Sequence, residues 1–491
     1  MRRSKRASAF SSHAQLGLLL GGLVIGFYGL SGRDASAQGN PDTEVGGVLV
    51  KDTLLTAAGS PYIISRRIRV APGVTLTLAP GVEMRFMPEQ YVSVSDGGRF
   101  VVEGTADRPV RLTSNAPKPK PGDWRGIFFY EKSAGSLAYC DIAYGGTSGE
   151  EALTLQTGAA VSLRQVAIHD SAGYGALFYP GVAGVFEGVN IANSAGPAFY
   201  YTGDDAAIEF RNLTLTGNHP DGAVLGNGST GDMHITLPGY PSIVANPINV
   251  GDRSTLTIGP GVDLRFPTSG YLQINGGGKL VAEGTPDRPI SLASANTPAA
   301  PGDWRGIWFY EGSEARLSWC NIANAGRKSE QAVWIGSSAV AIRNSAIRGS
   351  AGLGIWTGRG ASATITRSQI EGNAFGVLND TPSSGLNAAY NWWGDPNGPQ
   401  TPENGLATKG DAVSGGVRFN PWLDSPAGAL AAPGDVNSDG KVNVLDATIA
   451  LLLAVGVSTP TRTQLSAADL NDDLKLDVKD AVLVLKRAVG L

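Results

Sequence analysis

The feature that most restricts this fold is a duplication. Residues 121–131 read PGDWRGIFFYE, and 180 residues further on 301–311 read PGDWRGIWFYE. The same offset carries TLTLAPGVEMRF at 75–86 onto TLTIGPGVDLRF at 255–266, Cys140 onto Cys320 and Pro61 onto Pro241. The chain therefore uses one module twice, and whatever buries the apolar face of one copy must bury the other. A finer repeat runs inside each copy, in which one apolar residue is followed five positions later by a second. It occurs at Leu137/Ile142, Leu163/Ile168, Phe186/Ile191, Phe210/Leu215, Leu317/Ile322, Ile342/Ile347 and Ile365/Ile370, at intervals of 23 to 26 residues. Short alternating runs at that period, punctuated by Gly, Asn, Asp and Ser, predict a mainly β solenoid whose strands stack in parallel. The intervals leave no room for crossover helices, which excludes a doubly wound sheet.

Composition agrees and removes other classes. Sixty-seven glycines in 491 residues, with only 17% charged residues, favour tight turns over long solvated helices. The net charge is −4 and no basic cluster follows the extreme N-terminus, so nucleic acid is not an expected partner. Residues 1–37 carry Arg2, Arg3, Lys5 and Arg6, an apolar run over 16–30, and Ala35-Ser36-Ala37. This is the pattern of a cleaved export signal, which predicts a secreted protein, extracellular or on the cell surface, with membrane contact only if the signal is retained. Cys140 and Cys320 fall seven turns apart, more than about 30 Å at the spacing of stacked strands, so both are expected to be free thiols.

The body also resembles a known family. Gly104-Thr105 with Arg108-Pro109, the Gly122-Asp123-Trp124-Arg125-Gly126-Ile127 segment, and the closing Asn391-Trp392-Trp393-Gly394 with Pro421-Trp422 are similar to right-handed parallel β-helix proteins of the pectin-lyase-like fold. The resemblance spans 46–425, divided into halves at 46–230 and 231–425. It implies polysaccharide degradation, of O-glycosyl hydrolase or lyase type, or polysaccharide binding. No catalytic motif accompanies it. His169, His219 and His234 stand in IHD, NHP and MHI, Asp204-Asp205 and Glu150-Glu151 read as turn carboxylates, and the catalytic residues stay unassigned. Trp124, Trp304, Arg125 and Arg305 recur in both copies and read as architecture. Strand alternation turns Phe128, Tyr130, Phe199, Tyr201, Trp308, Tyr310, Trp334 and Trp356 outward. Trp308, Trp334 and Trp356, with Tyr310, would form a carbohydrate-binding ladder; the alternative is that these rings only stack on one another.

An Ala/Pro/Gly-rich linker at 426–433 precedes a different pattern over 434–491. Asp435, Asn437, Asp439, Lys441 (through its carbonyl), Asn443 and Asp446 occupy alternate positions of a 12-residue calcium loop, with Gly440 at the bend. Asp469, Asn471, Asp473, Lys475 (carbonyl), Asp477 and Asp480 repeat it, but Leu474 replaces the glycine, which predicts a weaker or locally distorted second Ca²⁺ site. Helices are expected over 447–457 and 481–491. The pair of loop–helix units resembles a type I dockerin, which implies calcium-dependent folding and docking to a cohesin-like module. The residues implied to choose the partner are Val444, Leu445, Val478 and Lys479. Two readings from another class stay open: a non-catalytic adhesin-like or surface-layer protein, and a calcium-stabilised cap without a partner.

Overall fold

A computed structural model describes residues 43–491, apart from 148–149, 203–206, 227–231, 238, 337–338, 383–385, 402–407 and 427–430. The export signal expected over 1–37 and the Asp204-Asp205 pair lie outside the described residues. From residue 43 onward the chain is a parallel β solenoid of about 14 turns, followed by three short helices.

Alternation in the short strands builds the core. Thr75–Leu78 buries Leu76 and Leu78 and leaves the threonines at the surface, and its copy Thr255–Ile258 does the same with Leu256 and Ile258. Parallel register then stacks like on like from turn to turn. Leu78, Val102, Leu137, Leu163, Phe186 and Phe210 form one column, and Leu112, Ile142, Ile168, Ile191 and Leu215 form another. The five-residue repeat of the sequence is this pair of columns. An odd spacing would put the two residues on opposite faces of a continuous strand, so the chain must break parity between them. It does so at a left-handed residue two positions after the first apolar one: Tyr139, Gln165, Asn212, Trp319, Asn344, Arg367 and Tyr390 all have φ between 46° and 56°. These residues form a corner along the later turns of each copy, over 139–212 and 319–390.

The repeated tryptophans are architectural. Trp124 and Trp304 are fully buried, lie 4.0 and 4.2 Å from the rings of Phe86 and Phe266 with planes 8° apart, and donate Nε1–H to the carbonyls of Ala143 and Ala323 at 2.8 Å. Arg125 and Arg305 reach one turn onward to Glu150 and Glu330. The two cysteines are free and buried.

One expectation about facing is corrected. Phe199 is fully buried and Tyr201 packs against the core, because Phe199 stands in register with Ala176, Leu153 and Ile127 on the inward side. Tyr200 takes the outward position and stacks on Tyr174 at 4.8 Å.

Candidate functional site

The tail builds its site from two loops and the helices they open. Helices α1 (Val444–Ala454) and α3 (Val478–Ala488) begin three residues earlier than predicted. The reason is that Asn443 and Asp477 serve as N-caps, each in a capping box closed by Asp446 or Asp480. A further helix, α2 (Arg462–Ala468), precedes the second loop. Its signal was present in the sequence as Thr461 and Gln464, a capping box that the structure forms.

Each loop wraps its carboxylates around main-chain N–H groups. Asp446 accepts from Val436, Asn437 and Asn443, and Asp435 accepts from Asp439 and Gly440. In the second loop Asp469 accepts from Leu474 and Asp480 from Asp477. Leu474 takes the conformation that was expected to be costly: its φ of 66° places it in the same left-handed region as Gly440 at 83°. The strain that a Cβ meets there is retained within an otherwise regular loop.

The donor set fits a hard divalent cation. Asp469, Asp473 and Asp480 each present a carboxylate oxygen within 4.8 Å of the others. Oδ1 of Asp469 and of Asp480 is buried with no hydrogen-bond partner, an arrangement a metal ion would satisfy. Late in the loops, Val444, Leu445 and Val478 are more than half exposed, and Leu451, Leu452, Val482 and Leu485 are exposed on the helices that follow. Lys479 is exposed beside them. Apolar side chains gathered at that density on a small helical unit mark an interaction surface.

On the solenoid, Trp308, Trp334 and Trp356 occur on adjacent strands in direct register. Each is half-buried. Trp334 and Trp356 are 6.3 Å apart and tilted by 49°, Trp308 stacks on Tyr271 at 4.7 Å, and Tyr310 meets Trp334 edge-on at 4.8 Å. The rings engage one another and also leave partial faces to solvent. The equivalent strands of the first copy, which belong to a different sheet, carry a groove that the sequence reading missed, a 360 Å³ cavity lined by Arg67, Arg69, Tyr91, Ser93, Ser95, Asp96 and Tyr130. Its signal is divergence between the copies, since the offset of 180 puts Pro247 and Asn249 where the first copy has Arg67 and Arg69.

His169 joins two turns. Its Nε2 lies 2.8 Å from Asp141 and its Nδ1 2.8 Å from Asp170. The hydrogen bond to Asp141, then that to Asp170, outweighs burial and raises its pKa to about 9. An imidazole so held is a cation at neutral pH and serves as a clamp rather than a base. Because the folded pKa lies above the unfolded value of about 6.5, the clamp stabilises fully below pH 6.5 and is lost as pH rises through about 9. Urea midpoints should therefore fall between pH 6 and 9.5 by the equivalent of about 1–2 kcal/mol, after discounting for the partly exposed carboxylates. A His169→Gln variant should show a flatter profile, and an equal fall in both proteins would count against the clamp.

Comparison with known proteins adds the families. Residues 47–154 match the model of a pectate-lyase like beta helix domain. Residues 433–489 match the dockerin type I domain. The tail is a type I dockerin. Such domains bind calcium, imply binding to a cohesin module, and are typical of proteins assembled outside the cell or at its surface. Among curated proteins, Protein bark beetle of Drosophila melanogaster is 40% identical over 77 residues, which are 14% of this chain and 2% of that protein. The chain thus spans a small fraction of that relative's length. No solved structure matches. No helix among the described residues is long and apolar enough to cross a membrane.

Proposed function

We propose that this is an exported, carbohydrate-directed protein: the β-helix engages polysaccharide along one sheet, and the dockerin fixes it to a cohesin-bearing scaffold through Ca²⁺. The observation that carries the reading is the outward row of Trp308, Trp334 and Trp356, in register on one sheet of the second copy, with Arg67, Arg69 and Tyr91 on the equivalent strands of the first copy, which belong to a separate sheet. Aromatic side chains carried on strands stepped by about 4.8 Å suit a chain of sugar rings, and guanidinium and hydroxyl groups suit its polar substituents. Binding is favoured over hydrolysis or lysis as the role of this strip, because its side chains supply platforms and cations rather than a paired acid and base.

Calcium would be held by Asp435, Asn437, Asp439, Asn443 and Asp446 in the first loop and by Asp469, Asn471, Asp473, Asp477 and Asp480 in the second. Lys441 and Lys475 would each add a main-chain carbonyl. Val444, Leu445, Val478 and Lys479 would contribute to the partner-facing surface.

The strip is tested by replacing Trp308, Trp334 and Trp356 together with alanine. Retention on a panel of plant and bacterial polysaccharides should weaken about tenfold or more, as expected when aromatic stacking is removed. Unchanged retention, with the fold intact by circular dichroism, would leave the rings as mutual packing only. Reducing-sugar and unsaturated-uronate assays on the same panel separate binding from turnover.

A further inference from the structure

The left-handed corner of the solenoid has an unusual ending. On its last three turns the corner residues are Asn344, Arg367 and Tyr390, and all three reach into the segment that follows the solenoid. Arg367 is only 3% exposed, and none of its guanidinium bonds in the structure goes to the solenoid. Nε donates to the carbonyl of Ser466 at 2.7 Å, one terminal nitrogen donates to the Asp472 carboxylate, and the other donates to the carbonyl of Asp469. Tyr390, 1% exposed, donates its hydroxyl to Asp469 Oδ2 at 2.9 Å and lies beneath the Arg367 guanidinium. Arg343, next to the corner, adds an ion pair to the other oxygen of Asp472. Asn344 donates to the carbonyl of Ala431 at 3.2 Å, which ties down the end of the linker.

A buried arginine has to find acceptors for its donors, because leaving them unpaired away from water is strongly unfavourable. On a dockerin swinging freely from its linker, Arg367 would face solvent and need none. We infer that the corner formed by Asn344, Arg367 and Tyr390 is a dedicated seat for the second calcium loop, so that this loop stays folded without calcium while the first loop depends on the ion.

Two consequences follow from the geometry. The contacts fall on Asp469, the first position of the loop, and on Asp472, beside the bend where Leu474 holds its left-handed conformation. The seat therefore braces the part of the loop that lacks glycine. It also leaves Val444, Leu445, Val478 and Lys479 exposed, so a partner would meet the dockerin in an orientation fixed relative to the solenoid. Nothing comparable braces the first loop among the described residues, where the acceptors of Asp435 and Asp446 are filled by their own loop's N–H groups.

The inference rests on the calcium reading of the loops, and the test separates the two. Amide hydrogen exchange is followed in the full chain over peptides spanning 435–446 and 469–480, in calcium and in excess EGTA. In the unaltered protein, EGTA should accelerate exchange in the first loop at least tenfold and in the second less than threefold. In Arg367→Ala with Tyr390→Phe, both loops should accelerate alike. Equal loss of protection in the two loops of the unaltered protein, or a variant indistinguishable from it, overturns the seat. Failure of the first loop to respond to EGTA would instead count against the metal reading, and the comparison of protein with variant at the second loop would still decide the seat. Peptides from the strands Gln331–Ile335 and Ala339–Arg343 report whether the solenoid is intact. If the double variant disturbs them, Tyr390→Phe alone, which removes a single hydroxyl, gives the deciding readout.

Discussion

Replacing Trp124 by alanine is expected to destabilise the first copy of the solenoid by about 3–5 kcal/mol, and Trp304→Ala the second copy by the same amount. Each indole is fully enclosed, stacked face to face on a phenylalanine of the preceding turn, and hydrogen-bonded to a main-chain carbonyl one turn onward. Truncation removes the apolar burial, opens a cavity larger than a benzene ring, and leaves the carbonyls of Ala143 and Ala323 short of a donor. Since turns of a solenoid contact only their neighbours, the loss should be regional. Trp124→Ala should advance the urea-dependent exchange of strands near 126–155 while leaving strands beyond 306 near their original stability. By contrast Trp356→Ala, on the half-buried outer strip, should destabilise by about 1 kcal/mol. Comparable losses at Trp124 and Trp356 would mean that the indoles in the PGDWRG turns are not the core pillars described above.

What the sequence disclosed and what it withheld have separate physical causes. The columns were legible because burial repeats at every turn: each apolar pair, from Leu137/Ile142 to Ile365/Ile370, states the same requirement. The outward face was harder to read, because a one-residue shift reverses every side chain. Counting by alternation exposed Phe199 and Tyr201, whereas the register with Ala176 and Leu153 turns Phe199 inward and brings out Tyr200. Trp308, Trp334 and Trp356 escaped that error because the short strands carrying them repeat the same apolar-flanked pattern. The loop–helix units were legible, since their capping and turn chemistry is local. The seat was not, because Arg367 and Asp472 lie 105 residues apart and nothing in either segment announces the other. The penalty at Leu474 was legible because it is local, whereas the contacts beside it come from the solenoid.

Asp446→Ala should abolish the calcium-dependent behaviour of the tail. Asp446 is fully buried, closes the capping box of α1, and accepts from three main-chain N–H groups at the last position of the first loop, where it would be a calcium ligand. At millimolar calcium a site of micromolar affinity stabilises the folded loop by about 4 kcal/mol, and the cap contributes about 1 kcal/mol more. A unit whose core is Val436, Ala447, Ala450, Leu453, Ala467, Ala468, Ala481 and Val484 is too small to absorb that loss. The helicity of 444–454 should therefore disappear even in saturating calcium. Binding to a cohesin-type module, which would need Val444 and Leu445 presented on that helix, should weaken more than 100-fold by titration calorimetry. Asp480→Ala makes the informative contrast. Its loop carries the same chemistry but is held from outside by Arg367 and Tyr390, so helicity over 478–488 should fall only in part. If the two variants lose helicity and partner binding equally, calcium alone organises both loops and the solenoid contributes nothing to the second.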